Sequence, residues 1–297
     1  MTSEAAAVLL TTHFIDDGIV AACRRLRDEA GPSRRVALFY NRSDDPCPGR
    51  PPPADLVVET FDRDDIRLLG YPRKGRRMDG RDVELFALLW HHRHPGSQPV
   101  WLIEYDVAFS GRWSVLFDTF AASPADLLAT TIHRHAVNPG WDNWASVSTP
   151  FGRAKPARLL RAFMPIYRLS RRGLGVLDEA YHEGWAGHYE ATVPTILAAR
   201  GLVLEDIGGD GEFVAPGNRN RFYTNTPAAN TLAPGSFVFR PVRLAAGAEP
   251  DRLWHPVKPQ PRSGGWATGR RDRLGRWASA LARAGRQRLA TLLGRQR

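Results

Sequence analysis

Cysteine is nearly missing from this chain. Cys23 and Cys47 are the only two in 297 residues, and they form no Cys-x-x-Cys pair, which excludes a disulfide framework and a thiolate zinc site. No stretch approaches the roughly 18 consecutive apolar residues that would cross a bilayer. The opening Met1-Thr2-Ser3-Glu4 has no positive region, and residues 5–10 are too short for the apolar part of a secretory signal. These absences predict a cytoplasmic protein with reduced thiols. No Gly-x-Gly-x-x-Gly follows a strand-like run, so nicotinamide and flavin are not indicated, and no repeat is visible.

Acidic residues are scarce in one place. From His255 to the end there are eleven Lys and Arg against the single acid Asp272, so the formal charge of +10 belongs to this tail and the body is neutral. A neutral body offers no groove for a polyanion, and nucleic acid is not an expected partner. With 43% hydrophobic residues and nine Trp, the body is long and apolar enough to bury a large core.

Short apolar, β-branched runs at residues 8–12, 36–40, 56–58, 100–103 and 126–132 read as buried strands. Between them, residues 16–26, 82–90 and 113–120 have helical spacing, the first behind an Asp16-Asp17 cap. Strands alternating with helices predict an α/β fold with a mostly parallel central sheet and helices on both faces. Further on, residues 158–163, 174–181 and 193–200 read as helices and 237–239 as a late strand. The expected organisation is a catalytic body over residues 1–258, a Pro/Gly/Ser-rich linker over 259–269 and a basic amphipathic helix over 270–297. That helix sets Trp277 and several Leu on one stripe and Arg on the others, a pattern for a membrane surface, for docking on the body or for solubility.

Ligands of open α/β sheets bind at the carboxyl ends of strands. There the run 100–103 ends in Glu104-Tyr105-Asp106, whose carboxylates face one way on an extended backbone. Hard divalent cations take such oxygen ligands and complete their shell with phosphate. Glu104-Tyr105-Asp106-Val107 after an apolar strand resembles the Asp-x-Asp motif of nucleotide-sugar glycosyltransferases with the GT-A fold, with Glu in the first place. The resemblance, carried by short motifs over residues 8–258, implies a transferase that moves a sugar from a nucleotide-sugar donor to a glycan or lipid-linked acceptor. It implies Mn²⁺ or Mg²⁺ on Asp106 with His255, and Glu104 supporting the ribose or the ion's water. By the same likeness Thr11, His13, Asp62 and Tyr71 would contact the nucleotide, Lys258 the diphosphate, and Glu190 or His188 would be the general base. The tail would hold such an enzyme at the inner face of the membrane.

Each candidate also has a plainer reading. Glu190 complements the dipole of a helix start, His188 packs, and Lys258 is a solvated charge. Trp141 and Trp144 form a sugar-stacking platform or pin a loop. Arg158 and Arg161 meet an anionic acceptor or line a solvated helix face. His91-His92-Arg93-His94 cannot converge on one ion and reads as surface. Two other functions compete: a metal-dependent phosphoesterase using Asp16, Asp17, Glu104 and Asp106, and a non-catalytic membrane scaffold working through the tail.

Overall fold

The computed structural model describes residues 6–45, 51–75, 82–96 and 99–258. The expected linker at 259–269 and the expected basic helix at 270–297 lie outside the described residues, as does Cys47. Seven strands make one sheet: β1 (Ala6–Thr12), β2 (Arg34–Asn41), β3 (Val58–Phe61), β4 (Val100–Glu104), β5 (Leu127–Arg134), β6 (Leu160–Leu169) and β7 (Leu204–Asp206). Their spatial order is β7-β5-β6-β4-β1-β2-β3. β1, β2, β3 and β4 are parallel, and so are β5 and β7; β6 runs antiparallel to both of its neighbours, β4 and β5.

The sheet is covered on both faces, and β1, β2, β4 and β5 are accordingly buried along almost their whole length. α3 (Leu85–Arg93), α5 (Arg171–His182) and α6 (Tyr189–Ala199) pack on one face around Phe39, Trp90, Tyr167 and Tyr181. α1 (Asp17–Glu29) and α4 (Trp113–Thr119) pack on the other around Trp101, Phe117 and Phe222. α1 starts where the sequence indicates, with the Asp16 carboxylate accepting from Ile19 N at 2.8 Å, and it buries Ile19, Val20, Cys23 and Leu26. The short α2 (Arg63–Arg67) is closed by a capping box between Asp62 and Asp65.

One expected helix is a strand. Residues 158–163 contribute the end of a single 3₁₀ turn and the start of β6, whose ten residues are all buried. Because both faces of β6 are covered, its sequence lacks alternation, and Arg158 and Arg161 stand three apart around apolar residues, which imitates helical spacing. Pro165 has no N–H to give a ladder. It falls between Phe163 and Arg168, where pairing with β5 shifts register, the place a sheet tolerates it. The late strand expected at 237–239 is one bridge, Phe237 to His255.

Two structural devices set the site. The chain returns at Leu253–Trp254 to pair antiparallel with Ala108–Phe109, and Val257 N donates to Asp106 O at 2.8 Å. On the other side, buried Lys74 reaches Glu84 at 2.6 Å, Asp82 at 2.7 Å and the Gly187 carbonyl at 3.0 Å. Gly187, at φ +138, passes so near Ser146 that a Cβ would come within 2.9 Å of its carbonyl oxygen, and this fixes the entry into α6. Among the described residues no helix is long and apolar enough to cross a membrane. Lys74→Met removes the cation that compensates fully buried Glu84. Urea denaturation should show a loss of about 3–5 kcal/mol, the cost of stranding a buried charge.

Candidate functional site

β4 delivers Glu104 to the carboxyl edge of the sheet, and the chain turns there: Val107 N donates to Glu104 O at 3.0 Å, and Tyr105 N to Thr11 O at 3.1 Å. The two carboxylates therefore converge through a tight turn, rather than by the strand alternation that the sequence predicts. Buried Asp106 faces the returning segment. Its Oδ2 lies 3.2 Å from Lys258 Nζ and its Oδ1 3.5 Å from His255 Nε2, while Lys258 also donates to the Tyr105 hydroxyl at 3.1 Å. Burial works against the Asp106 charge, yet the His255 and Lys258 contacts outweigh it and hold the carboxyl below its ordinary value. Glu104 has no such support. Burial, then repulsion from Asp106 and Glu190, pushes its carboxyl up to about 8 against the pull of Lys258.

Ligand atoms of Glu104, Asp106 and His255 lie within 4.8 Å of one another and could hold an ion. His255 Nδ1 sits 2.8 Å from the Val238 carbonyl oxygen, which only accepts, so Nδ1 carries a proton. In the neutral ring, Nε2 then presents a lone pair to Asp106 Oδ1, a buried atom that makes no hydrogen bond. Two acceptors facing one another call for a proton or a cation between them. The two carboxylates suit Mn²⁺ or Mg²⁺ by donor hardness, and the imidazole, a borderline donor, favours Mn²⁺ of the two. A dication there would oppose the repulsion that adds to the raising of Glu104.

The opposite wall is built by α6 and β6. Glu190, in the first turn of α6, is buried with its Oε2 3.4 Å from Arg161 Nη2. Arg161 in turn lies 4.1 Å above the Trp141 ring. Burial raises the Glu190 carboxyl, with Arg161 and the Met164 backbone N–H opposing. His188 caps α6, stacks on Tyr189 and stands edge-on to Trp141.

A cavity of about 730 Å³ joins the two walls. It brings together Thr11, His13, Glu104, Asp106, His255 and Lys258 on the sheet side with Trp141, His188 and Glu190 opposite. Four other candidates are outside its lining. Asp62 caps α2 and pairs with Arg42 at 2.9 Å, and Tyr71 is buried against α5, donating to Asp178 at 2.5 Å. Trp144 is buried beneath Trp141, its Nε1 donating to the Asn138 carbonyl at 2.8 Å. Arg158 is an exposed residue of the 3₁₀ turn. Asp16 and Asp17, which a phosphoesterase would need, are not in the lining either, Asp16 being occupied as the α1 cap. Arg240 and Asn41 line the cavity without having been singled out. Arg240 directly follows the apolar run 237–239 and could have been found as the cation at its end. Asn41 sits beyond the last apolar residue of β2 and carries no signal of its own.

No protein-family model matches the chain, and no curated protein matches it. Among solved structures, it is similar at 10% identity and a TM-score of 0.38 to one titled a "Putative Glucose-1-Phosphate Thymidylyltransferase" from Bacillus anthracis in complex with a sucrose, covering 68% of this chain and 85% of that one.

Isothermal titration with Mn²⁺ tests the donor set. Wild type should bind the ion, and Asp106→Asn and His255→Ala should each weaken it by more than about ten-fold. Equal affinity in all three would remove the ion from this place.

Proposed function

We propose that the chain is a glycosyltransferase that takes a sugar from a nucleotide-sugar donor and passes it to an acceptor hydroxyl of a glycan or lipid-linked saccharide. The observation that carries the reading is the cavity itself. One wall offers acidic and imidazole donors beside an ammonium, and the opposite wall holds a single buried carboxylate. That pairing suits a diphosphate leaving group at one end and an acceptor losing a proton at the other.

In this reading Lys258 and Arg240 meet the negative charge that grows on the departing nucleoside diphosphate, an electrostatic task for fixed cations in a recessed site. Glu104, Asp106 and His255 would hold Mn²⁺ or Mg²⁺, which would neutralise the same oxygens. Thr11 and His13, at the end of β1, line the donor side. Glu190 accepts the proton of the acceptor hydroxyl. The acceptor oxygen then bonds to the anomeric carbon as the bond from that carbon to the phosphate oxygen breaks. Attack from the wall opposite the leaving group inverts the anomeric centre. A carboxyl raised by burial is a better base near neutral pH than a solvated one, and Arg161 keeps it from being neutralised outright. Trp141 gives the acceptor sugar an apolar face to lie on, and His188 borders the same end.

Transfer and donor hydrolysis across UDP-, GDP- and TDP-sugars, with and without Mn²⁺, test this function directly. Glu190→Gln should lower kcat by about 10²–10⁴-fold while leaving the donor-induced rise in melting temperature intact. Activity should increase with pH through the raised Glu190 value. Arg161→Gln, by removing a positive neighbour, should move that ascending limb to higher pH. Absence of binding by every nucleotide sugar would sink the proposal.

A further inference from the structure

The segment that carries Trp141 past the cavity continues into a feature that the chemistry above does not use. Ser148–Thr149 and Gly152–Arg153 form a two-stranded hairpin with Phe151 at its tip, 99% exposed. The tip is braced: Phe151 N donates to Thr149 Oγ1 at 3.1 Å, and Thr149 Oγ1 donates to the Gly152 carbonyl at 3.0 Å. Its base is tied to the body by reciprocal backbone bonds between Ser148 and Ala186 at 2.9 and 3.0 Å. The phenyl ring is thus held out in water by a fixed scaffold.

Its surroundings are of one sign. Arg153, Lys155 and Arg158 follow within seven residues and are exposed. None of them forms an ion pair among the described residues. Arg73 and Arg153 share a shallow depression beside the hairpin. Residues 143–177 contain no Asp or Glu at all; the nearest acid along this stretch, Asp142, lines the cavity. The 3₁₀ turns His135–Val137 and Pro156–Arg158 touch, which adds Val137, 45% exposed, as a second apolar side chain next to these cations.

We propose that this hairpin is a docking element for an anionic bilayer, with Phe151 entering the headgroup boundary and Arg153, Lys155 and Arg158 meeting lipid phosphates. A lone exposed Phe is ordinary on a protein surface. A rigidly presented Phe among three unpaired cations, in a stretch of chain free of acids, has the composition of an interfacial anchor. The charge pattern selects the anionic surface over a neutral one. The contact stands independently of the transferase reading. If that reading holds as well, docking would bring the Trp141 end of the cavity towards the lipid, the side from which a lipid-linked acceptor would enter.

The full chain carries ten further basic residues beyond 258, so the experiment subtracts the hairpin from the whole protein. Partitioning of full-length protein is measured on phosphatidylglycerol/phosphatidylcholine vesicles and on phosphatidylcholine alone, by flotation. Wild type should bind only the anionic vesicles. The combined variant Arg153→Ser, Lys155→Ser, Arg158→Ser should partition on the order of 100-fold less, at about five-fold per cation. Phe151→Ser should lose about ten-fold. All four positions are exposed, and melting temperatures should stay at the wild-type value. Removing the same charge at Arg24, Arg27 and Arg67 should leave partitioning unchanged. The proposal is overturned if the hairpin variants bind as wild type does, if the distant charge control falls as far, or if neutral vesicles bind equally well.

Discussion

A buried carboxylate must be answered, and at Asp106 the answer comes from nearly 150 residues further along the chain. His255 and Lys258 approach its two oxygens from a segment pinned to the same turn by Leu253–Trp254 on Ala108–Phe109 and by Val257 on the Asp106 carbonyl. Neither half makes sense alone. Without the returning segment the Asp106 charge would have no compensation for its desolvation, and without Asp106 the segment would present an imidazole and an ammonium to an empty wall. The ladder sets the geometry and the electrostatics occupy it.

The facing wall solves a related problem differently. Glu190 is as deeply buried, but its partner Arg161 comes from within the sheet, on β6, and lies over the Trp141 ring. The position of α6 is in turn fixed by Lys74, whose ammonium ties the Gly187 carbonyl to two acids ahead of α3. Carboxyls on both walls are raised by burial, and Glu104 and Glu190 repel one another. A cavity between such groups favours an occupant that brings positive charge or separates the acids, a substrate complexed with a dication among them.

Much of the sheet was legible from the sequence because its strands are short apolar runs with clear stops. β1, β2, β4 and β5 appear where those runs are, and Asp16 caps α1 as its place before Ile19 indicates. β6 was not legible. Arg161, Pro165 and Arg168 interrupt its apolar run, and the antiparallel insertion between β4 and β5 is a property of the whole sheet. At the site, Glu104 and Asp106 could be found because acids at the end of an apolar run are conspicuous. Asp62 and Tyr71 show the limit of that signal: a carboxylate that caps a helix and a hydroxyl that bonds across two elements look the same in sequence as ligand-binding groups. The place of Arg161 is not legible in the sequence, since its contacts with Trp141 and Glu190 join three separate segments of the chain.

The strand pairing that closes the site also has a temporal side. Residues 253–258 leave the ribosome after every other part of the sheet is available to fold, and their contacts with residues 106–109 span one of the longest loops in the body. Nascent chains that stop short of Lys258 would carry a formed sheet and an unanswered Asp106. The wall of the cavity that holds His255 and Lys258 is therefore completed after the sheet, so the described body finishes folding where the pocket closes.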